Sequence, residues 1–134
     1  MKRTFFISAF ILLYFSTLNV YGYDEQRAIV NLANDYAECA AYYVIAAEGL
    51  RKTGDDKLAD KTMDISKKAT EYAIQLSNQR VTEARVELAF DKQRKMIDND
   101  YSNFSILILK YADMCKEVME NPDKRLQYWL NKKD

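Results

Sequence analysis

The chemistry that this sequence defines best is that of its two cysteines. Cys39 and Cys115 each lie in an apolar stretch of predicted helix. A redox-active pair usually has Cys-x-x-Cys spacing or an exposed thiol of low pKa, and neither is visible here. In an oxidising compartment, an even number of cysteines usually forms structural disulfides. The sequence therefore predicts a structural Cys39–Cys115 bridge between two helices.

Catalytic and metal-binding groups are scarce. The chain contains no histidine, the commonest general base and metal ligand, and no glycine-rich phosphate loop. Two rows of carboxylates at four-residue spacing remain: Glu83, Glu87 and Asp91, and Asp56, Asp60 and Asp64. Basic residues lie close to both rows, so we interpret the rows as solvated helix faces. We expect neither a metal site nor enzymatic activity.

A haem group has to be considered, because exported helical bundles include haem proteins. The chain lacks the Cys-x-x-Cys-His attachment motif and any histidine ligand. Flexible methionines commonly fill gaps in protein cores, and we assign that role to Met63, Met96, Met114 and Met119. We expect no cofactor.

The chain begins with the pattern of a secretory signal peptide, residues 1–22. Two basic residues precede an almost entirely apolar run at 5–15, and Gly22 is a small residue suited to the −1 position of a cleavage site. The apolar run is too short for a membrane-spanning helix, which needs about 20 residues. We expect cleavage between Gly22 and Tyr23 and a periplasmic or secreted protein.

Cleavage would leave residues 23–134, which we predict to form a single domain. It also removes two basic residues and no acidic one, which changes the formal net charge from zero to −2. Because nucleic-acid binding needs a net basic face, we exclude that class of partner. We also expect no stable insertion into a membrane after cleavage.

The predicted domain has the composition of a helical protein. It contains few glycines and one proline, and no segment alternates apolar and polar residues over a useful length. The first helix is predicted over 24–52 and ends at Gly54, with Asp55 as the N-cap of the second helix. Asn121 and Pro122 are typical of the start of a short C-terminal helix.

Apolar residues recur at steps of three and four along three predicted helices, the pattern of helices packed in a bundle. The three stripes are Ile29, Leu32, Tyr36, Cys39, Tyr43, Ala46 and Leu50; Leu58, Thr62, Ile65, Ala69, Tyr72 and Leu76; and Ile97, Tyr101, Phe104, Ile108, Tyr111, Cys115 and Val118.

The predicted disulfide decides the number of helices. No glycine or proline marks a turn between Leu76 and Val118. Since a helix rises about 1.5 Å per residue, the two cysteines come level only if the chain turns near Asn78 and again near 99–102. We therefore predict an all-α, antiparallel up-down bundle of four helices followed by a short C-terminal helix.

Apolar residues outside the stripes predict a partner-binding surface. Ala41, Val44 and Ile45 of the first helix and Ile106 and Leu109 of the fourth lie at similar heights in this layout. A contiguous exposed apolar patch is usually an interaction surface. The alternative is that the C-terminal helix folds back and covers these residues.

The predicted function is binding to another protein, or self-association, without catalysis. The alternative is a carrier that holds a small apolar ligand or lipid among the core tyrosines Tyr36, Tyr43, Tyr72 and Tyr111. A cavity larger than about 300 Å³ among these tyrosines would favour the carrier. A filled core with exposed apolar surface would favour the binding protein.

Overall fold

A computed structural model describes residues 18–132 of the chain, with side-chain surroundings from residue 24 onward. Its elements are α1 (Leu18–Lys52), α2 (Asp56–Leu76), α3 (Gln79–Met96), a short 3-10 helix (Tyr101–Asn103), α4 (Ser105–Glu120) and α5 (Pro122–Asn131). Within this part of the chain every regular element is helical. The predicted all-α class is confirmed.

Most of the predicted signal peptide lies outside the described residues, which begin at Leu18. From there α1 runs without a break through the predicted cleavage site between Gly22 and Tyr23. Cleavage at this site, and with it the division into residues 1–22 and 23–134, stays a prediction.

Local sequence signals produce the first two turns at the predicted places. Gly54 follows α1 with φ +86°, a left-handed conformation that glycine adopts without a steric penalty. The Asp55 side chain accepts a hydrogen bond from the amide of Leu58 at 3.1 Å and caps α2. Asn78 caps α3 in the same way through the amide of Val81, at 3.0 Å. The predicted turn near Asn78 is therefore confirmed.

The turn between α3 and α4 also lies where it was predicted. Asp98 and Asn99 have φ values of 52° and 55°, a left-handed conformation that Asp and Asn tolerate better than most residues. The Asp100 side chain then accepts a hydrogen bond from the amide of Ser102 at 2.9 Å, which starts the 3-10 helix. These local bonds reverse the chain without glycine or proline.

α1 is the central helix of the bundle. It packs against each of the other four helices, and every residue from Asp35 to Tyr42 except Glu38 is buried. A helix buried around its whole circumference is surrounded by other elements. The bundle is therefore a central helix with α2, α3 and α4 around it, rather than four helices at equivalent corners.

The contact between α1 and α2 is the most extensive in the protein and is built from small residues. Ala59, Ala69 and Ala73 of α2 are buried. Ser66 on the same face donates a hydrogen bond to the carbonyl oxygen of Ala40 on α1, at 2.8 Å. Small side chains allow two helices to approach closely, so dispersion contacts extend along the interface.

The Cys39–Cys115 disulfide joins α1 to α4. Its sulfur atoms are 2.08 Å apart and its Cα atoms are 5.3 Å apart. Near one end of α4, the Tyr36 hydroxyl donates a hydrogen bond to the carbonyl oxygen of Val118 at 3.1 Å. Lower residue numbers on α1 therefore meet higher residue numbers on α4, so the two helices are antiparallel. The predicted bridge and the layout inferred from it are both confirmed.

α5 is anchored to α1 by a buried carboxylate. Asn121 caps this helix, and Pro122 is its first residue. Asp35 on α1 is 6% exposed and accepts hydrogen bonds from Arg125 Nε and Trp129 Nε1, each at 2.6 Å. α5 therefore continues in the direction of α4 and lies against the N-terminal half of α1.

Candidate protein-binding groove

Two of the five predicted partner-binding residues are inside the protein. Ala41 and Ile45 have no exposed surface. Their expected exposure assumed that the first helix occupies a corner of the bundle, whereas α2, α3 and α4 surround it. The predicted exposure is wrong, and in this fold neither residue is accessible to a partner.

The other three predicted residues do not form one patch. Val44 is half-buried and lies five residues after Cys39, about 140° around α1 from the side that faces α4. Ile106 and Leu109 are 43% and 90% exposed on α4. α5 leaves them uncovered because it docks elsewhere on α1. The continuous patch and the alternative that the C-terminal helix covers it are both wrong.

A different row of apolar side chains is exposed along α2. Leu58, Ile65 and Tyr72 are 45%, 37% and 40% exposed, and their seven-residue spacing places them on one line along the helix. The next residue after Leu58 and after Tyr72 is a buried alanine. The face buried on α1 is therefore rotated from the centre of the predicted stripe, with Ala69 common to both, and the row borders that face.

The row on α2 faces α4. The ring of Tyr72 lies 5.3 Å from the ring of Tyr36 on α1. The hydroxyl of Tyr36 reaches the carbonyl oxygen of Val118 on α4. Tyr72 therefore points to the side of α1 that α4 also contacts, and the rest of the row shares this side.

On α4, the side chain that faces this row is Ile108, which is 46% exposed. Lys110 lies about 200° from Ile108 around the helix, and its Nζ contacts the sulfur of Met96 on α3 at 3.8 Å. Since α3 borders the Lys110 side, Ile108 lies on the side towards α2. Each of these helices packs mainly on α1, and their mutual contact is slight. We call the space between them, lined by Leu58, Ile65, Tyr72 and Ile108, the α2–α4 groove.

Aromatic side chains of α1 lie beneath the α2–α4 groove. Tyr43 lies seven residues after Tyr36, so both point to the same side of α1. Burial is the main cause that raises the pKa of Tyr36, with smaller contributions from Tyr72 and Asp123. Burial is also the main cause that raises the pKa of Tyr43. Both rings are therefore uncharged at neutral pH and give the groove an apolar base.

Lysines border the groove on both sides. Lys61 and Lys68 follow Leu58 and Ile65 by three residues, which places them on the solvent side of the apolar row. Lys116 lies on the corresponding side of α4. None of the three forms an ion pair with another residue in the described part of the chain. The groove is an apolar channel with unpaired positive charges along its edges.

A polar cleft of about 630 Å³ lies near the turn between α3 and α4. In it the Tyr101 hydroxyl accepts a hydrogen bond from Arg94 and donates one to Glu48. The Lys52 ammonium lies 4.5 Å from the centre of the same ring. Burial, followed by the hydrogen bond to Glu48, raises the pKa of Tyr101. These groups satisfy one another and fasten the turn to α1, so we assign the cluster a structural role.

The carrier alternative needs a cavity among the core tyrosines. The polar cleft and a second one of about 540 Å³ beside Leu88 and Met96 are lined by other residues and open to solvent. Tyr36 packs against Tyr72, and Tyr111 packs against Tyr42 with ring centres 6.2 Å apart. The tyrosines therefore fill space rather than line either cleft.

The carboxylate rows are exposed. Asp60 pairs with Arg51 at 2.9 Å and Asp64 with Lys67 at 3.3 Å. Among residues 18–132, no three His, Cys, Asp or Glu side chains are grouped so that they could hold a metal ion. No helix in the same part of the chain has the length and apolar character needed to cross a membrane.

Comparison with known proteins adds no relative. No protein-family model matches the chain, and no curated protein or solved structure matches it either. The geometry of the α2–α4 groove therefore carries the functional interpretation.

Proposed function

We propose that this chain is an exported, non-enzymatic protein that binds a helical segment of another protein in the α2–α4 groove. The observation that carries the proposal is the apolar row of Leu58, Ile65 and Tyr72, which faces Ile108 across a gap between two helices. An aligned, half-exposed set of large apolar side chains is typical of an interaction surface.

The shape of the groove favours a helix as the occupant. Leu58 and Tyr72 are fourteen residues apart, so the row extends for about 21 Å along α2. A helix laid between α2 and α4 would contact the half-exposed apolar residues of both helices. Helix-in-groove binding of this kind uses apolar anchors spaced by three, four and seven residues.

Export is proposed on two features of the sequence and fold. The disulfide-bonded pair Cys39–Cys115 is compatible with an extracytoplasmic location, and residues 1–22 have the signal-peptide pattern. The full-length chain should reach the periplasm of a bacterial host with Tyr23 as its N-terminal residue. Edman sequencing of the periplasmic fraction tests this, and recovery of Met1 in the inner membrane would contradict it.

The groove is tested by comparing two exposed apolar positions on the same helix. Ile108→Glu places a charge in the groove, whereas Ile106→Glu places the same charge at a similarly exposed position about 160° away around α4. Both variants should melt close to the parent, because surface substitutions usually change stability by less than about 0.5 kcal/mol. A partner captured from an envelope extract should be retained by Ile106→Glu and lost by Ile108→Glu. Identical capture by both variants and the parent would remove the groove as the binding site.

A further inference from the structure

The two walls of the α2–α4 groove have the same order of side chains from inside to outside. Next to α1 lie buried residues, which are small on α2 and mostly large on α4, then half-exposed apolar side chains, then lysine. Three acidic residues lie within four positions of the α2 lysines: Asp60 and Asp64 pair with Arg51 and Lys67, and Glu71 lies farther around the helix from the apolar row than Lys68 does. On α4, Asp113 and Glu120 lie farther around the helix from Ile108 than Lys116 does. Within the described residues Lys61, Lys68 and Lys116 form no ion pair, so their positive charges are available to a bound partner.

The apolar row and the lysines together define the chemistry of a partner that would fit the groove. An occupant that buries apolar side chains against Ile65 and Ile108 brings the edges of its own apolar face close to the lysines. Acidic groups at those edges would be attracted, and basic groups would be repelled. The lysines repel a partner whose apolar face is bordered by basic residues, so they provide selectivity as well as attraction.

From this charge complementarity we infer that the occupant of the α2–α4 groove is an amphipathic helix whose apolar face is bordered by Asp and Glu. The inference rests on the proposed function and specifies the chemistry of the partner. The lysines select the acidic helix, and Leu58, Ile65, Tyr72 and Ile108 provide its apolar contact.

An anionic membrane also combines apolar and acidic groups, but the groove does not fit its shape. A membrane surface is broad, and a peripheral protein binds it with protruding apolar side chains. The apolar residues of the groove are only 37–46% exposed, because they lie between two helices. Leu109, the most exposed apolar residue of α4, is outside the groove. A flat surface would meet the lysines before these half-exposed side chains, whereas a narrow helix matches the line that they form along α2.

The experiment uses two synthetic peptides of about 20 residues, long enough to form a helix on binding. They share one apolar face with leucines at seven-residue spacing, and its borders are glutamates in one peptide and lysines in the other. Fluorescence anisotropy of each labelled peptide is measured with the oxidised protein. The glutamate peptide should bind at least about tenfold more tightly, and the difference should shrink as salt is added.

Charge-reversal variants assign this preference to the groove. Lys61→Glu combined with Lys68→Glu should abolish or reverse the preference. The control combines Arg80→Glu with Lys95→Glu, which changes the net charge equally at exposed positions of α3 outside the groove, and should keep the preference. Ile65→Glu should weaken both peptides, because it removes the shared apolar contact.

The other results separate the inference from the proposed function. If both peptides bind with equal affinity and Ile65→Glu abolishes this binding, the inference of an acidic helix is overturned, whereas the groove remains a binding site. Binding of neither peptide would overturn both. Vesicles containing phosphatidylglycerol that bind the parent but not the Lys61/Lys68 variant, with no peptide binding, would replace the helix with a membrane. Self-association that Ile65→Glu abolishes would identify a second copy as the occupant.

Discussion

Ser66 of α2 and Ala40 of α1 are joined by a hydrogen bond of 2.8 Å from a side-chain hydroxyl to a helix carbonyl oxygen. The serine side chain is short, so this bond requires the two helix backbones to lie close together. Ser66 is 4% exposed, and its neighbours on the same face of α2 are alanines. The bond therefore marks the place where α2 is seated on the central helix.

Enlarging Ser66 should separate the two helices. We expect Ser66→Leu to lower the free energy of unfolding by about 1–3 kcal/mol through overpacking, and by about 1 kcal/mol more through the lost hydrogen bond. Ser66→Ala should lose only the hydrogen bond. Chemical denaturation followed by circular dichroism measures both, with the exposed Lys67→Leu as a control within about 0.5 kcal/mol of the parent. A Ser66→Leu variant as stable as the parent would contradict the close approach.

The effect of Gly49→Ala on stability should change sign when the Tyr101 ring is removed. A Cβ atom at Gly49 would lie 3.2 Å from the Tyr101 ring, and the hydrogen bonds to Glu48 and Arg94 hold that ring in place. Gly49→Ala should therefore destabilise the parent. In a Tyr101→Ala background the clash is absent, and Gly49→Ala should stabilise by up to about 1 kcal/mol through helix propensity.

A double-mutant cycle by chemical denaturation measures this coupling. Gly54→Ala is the control, since a Cβ atom there meets nothing within 4 Å but the backbone has φ +86°. It should destabilise both backgrounds by a similar amount. If Gly49→Ala has the same effect with and without the Tyr101 ring, the ring moves aside to accommodate the new methyl group, and the predicted clash is contradicted.

The attachment of α5 depends on one carboxylate. Asp35→Asn should leave the Arg125 guanidinium, whose side chain is 15% exposed, without its counter-charge, at a cost of about 3 kcal/mol. Trp129 is the only tryptophan, so its emission should shift to longer wavelength as α5 detaches. Lys124→Gln removes a more exposed ion pair with Glu117 and should cost less than about 1 kcal/mol. Unchanged emission in Asp35→Asn would contradict this anchor.

Stability should decrease at alkaline pH. Burial is the main cause that raises the pKa of Tyr36, Tyr42, Tyr43 and Tyr111 above the ordinary value of 10.0. Above that value the unfolded state releases these protons first. The contribution of the tyrosines is therefore complete below about pH 10 and is lost as the pH rises through the raised pKa values.

The pKa of Lys92 is also raised, chiefly by its hydrogen bond to Glu38, and this acts in the same direction. Urea unfolding at pH values on both sides of about 10 measures the loss, and tyrosinate absorbance reports ionisation directly. Tyr42→Phe should make the decline less steep. Stability that stays constant until all tyrosines have ionised would contradict the burial of these rings.

Local signals explain why the helix boundaries could be predicted. Gly54, Asp55, Asn78 and Asn121 act on their own neighbours through a left-handed turn or a capping bond. The disulfide then restricted the layout, because only two further turns bring Cys115 level with Cys39. Neither kind of signal requires knowledge of how the helices are arranged around one another.

The candidate site depends on that arrangement and was not predicted. Apolarity alone ranks Leu58 above Ala59, yet a close helix contact buries the alanine and leaves the leucine half-exposed. The pattern on α1 likewise gave no sign that this helix is surrounded by α2, α3 and α4, which leaves Ala41 buried. The seven-residue spacing of Leu58, Ile65 and Tyr72 was visible in the sequence, but only the fold shows that it lines a groove.

The disulfide has a consequence for what happens when the chain is cut. Residues 39–115 form a closed covalent ring that contains every turn between α1 and α4. A protease that cuts once at 53–55, 77–78 or 97–104 opens the ring but does not separate the two pieces, which stay linked through sulfur. A molecule nicked in this way keeps α2 and α4 attached to α1, and with them both walls of the groove.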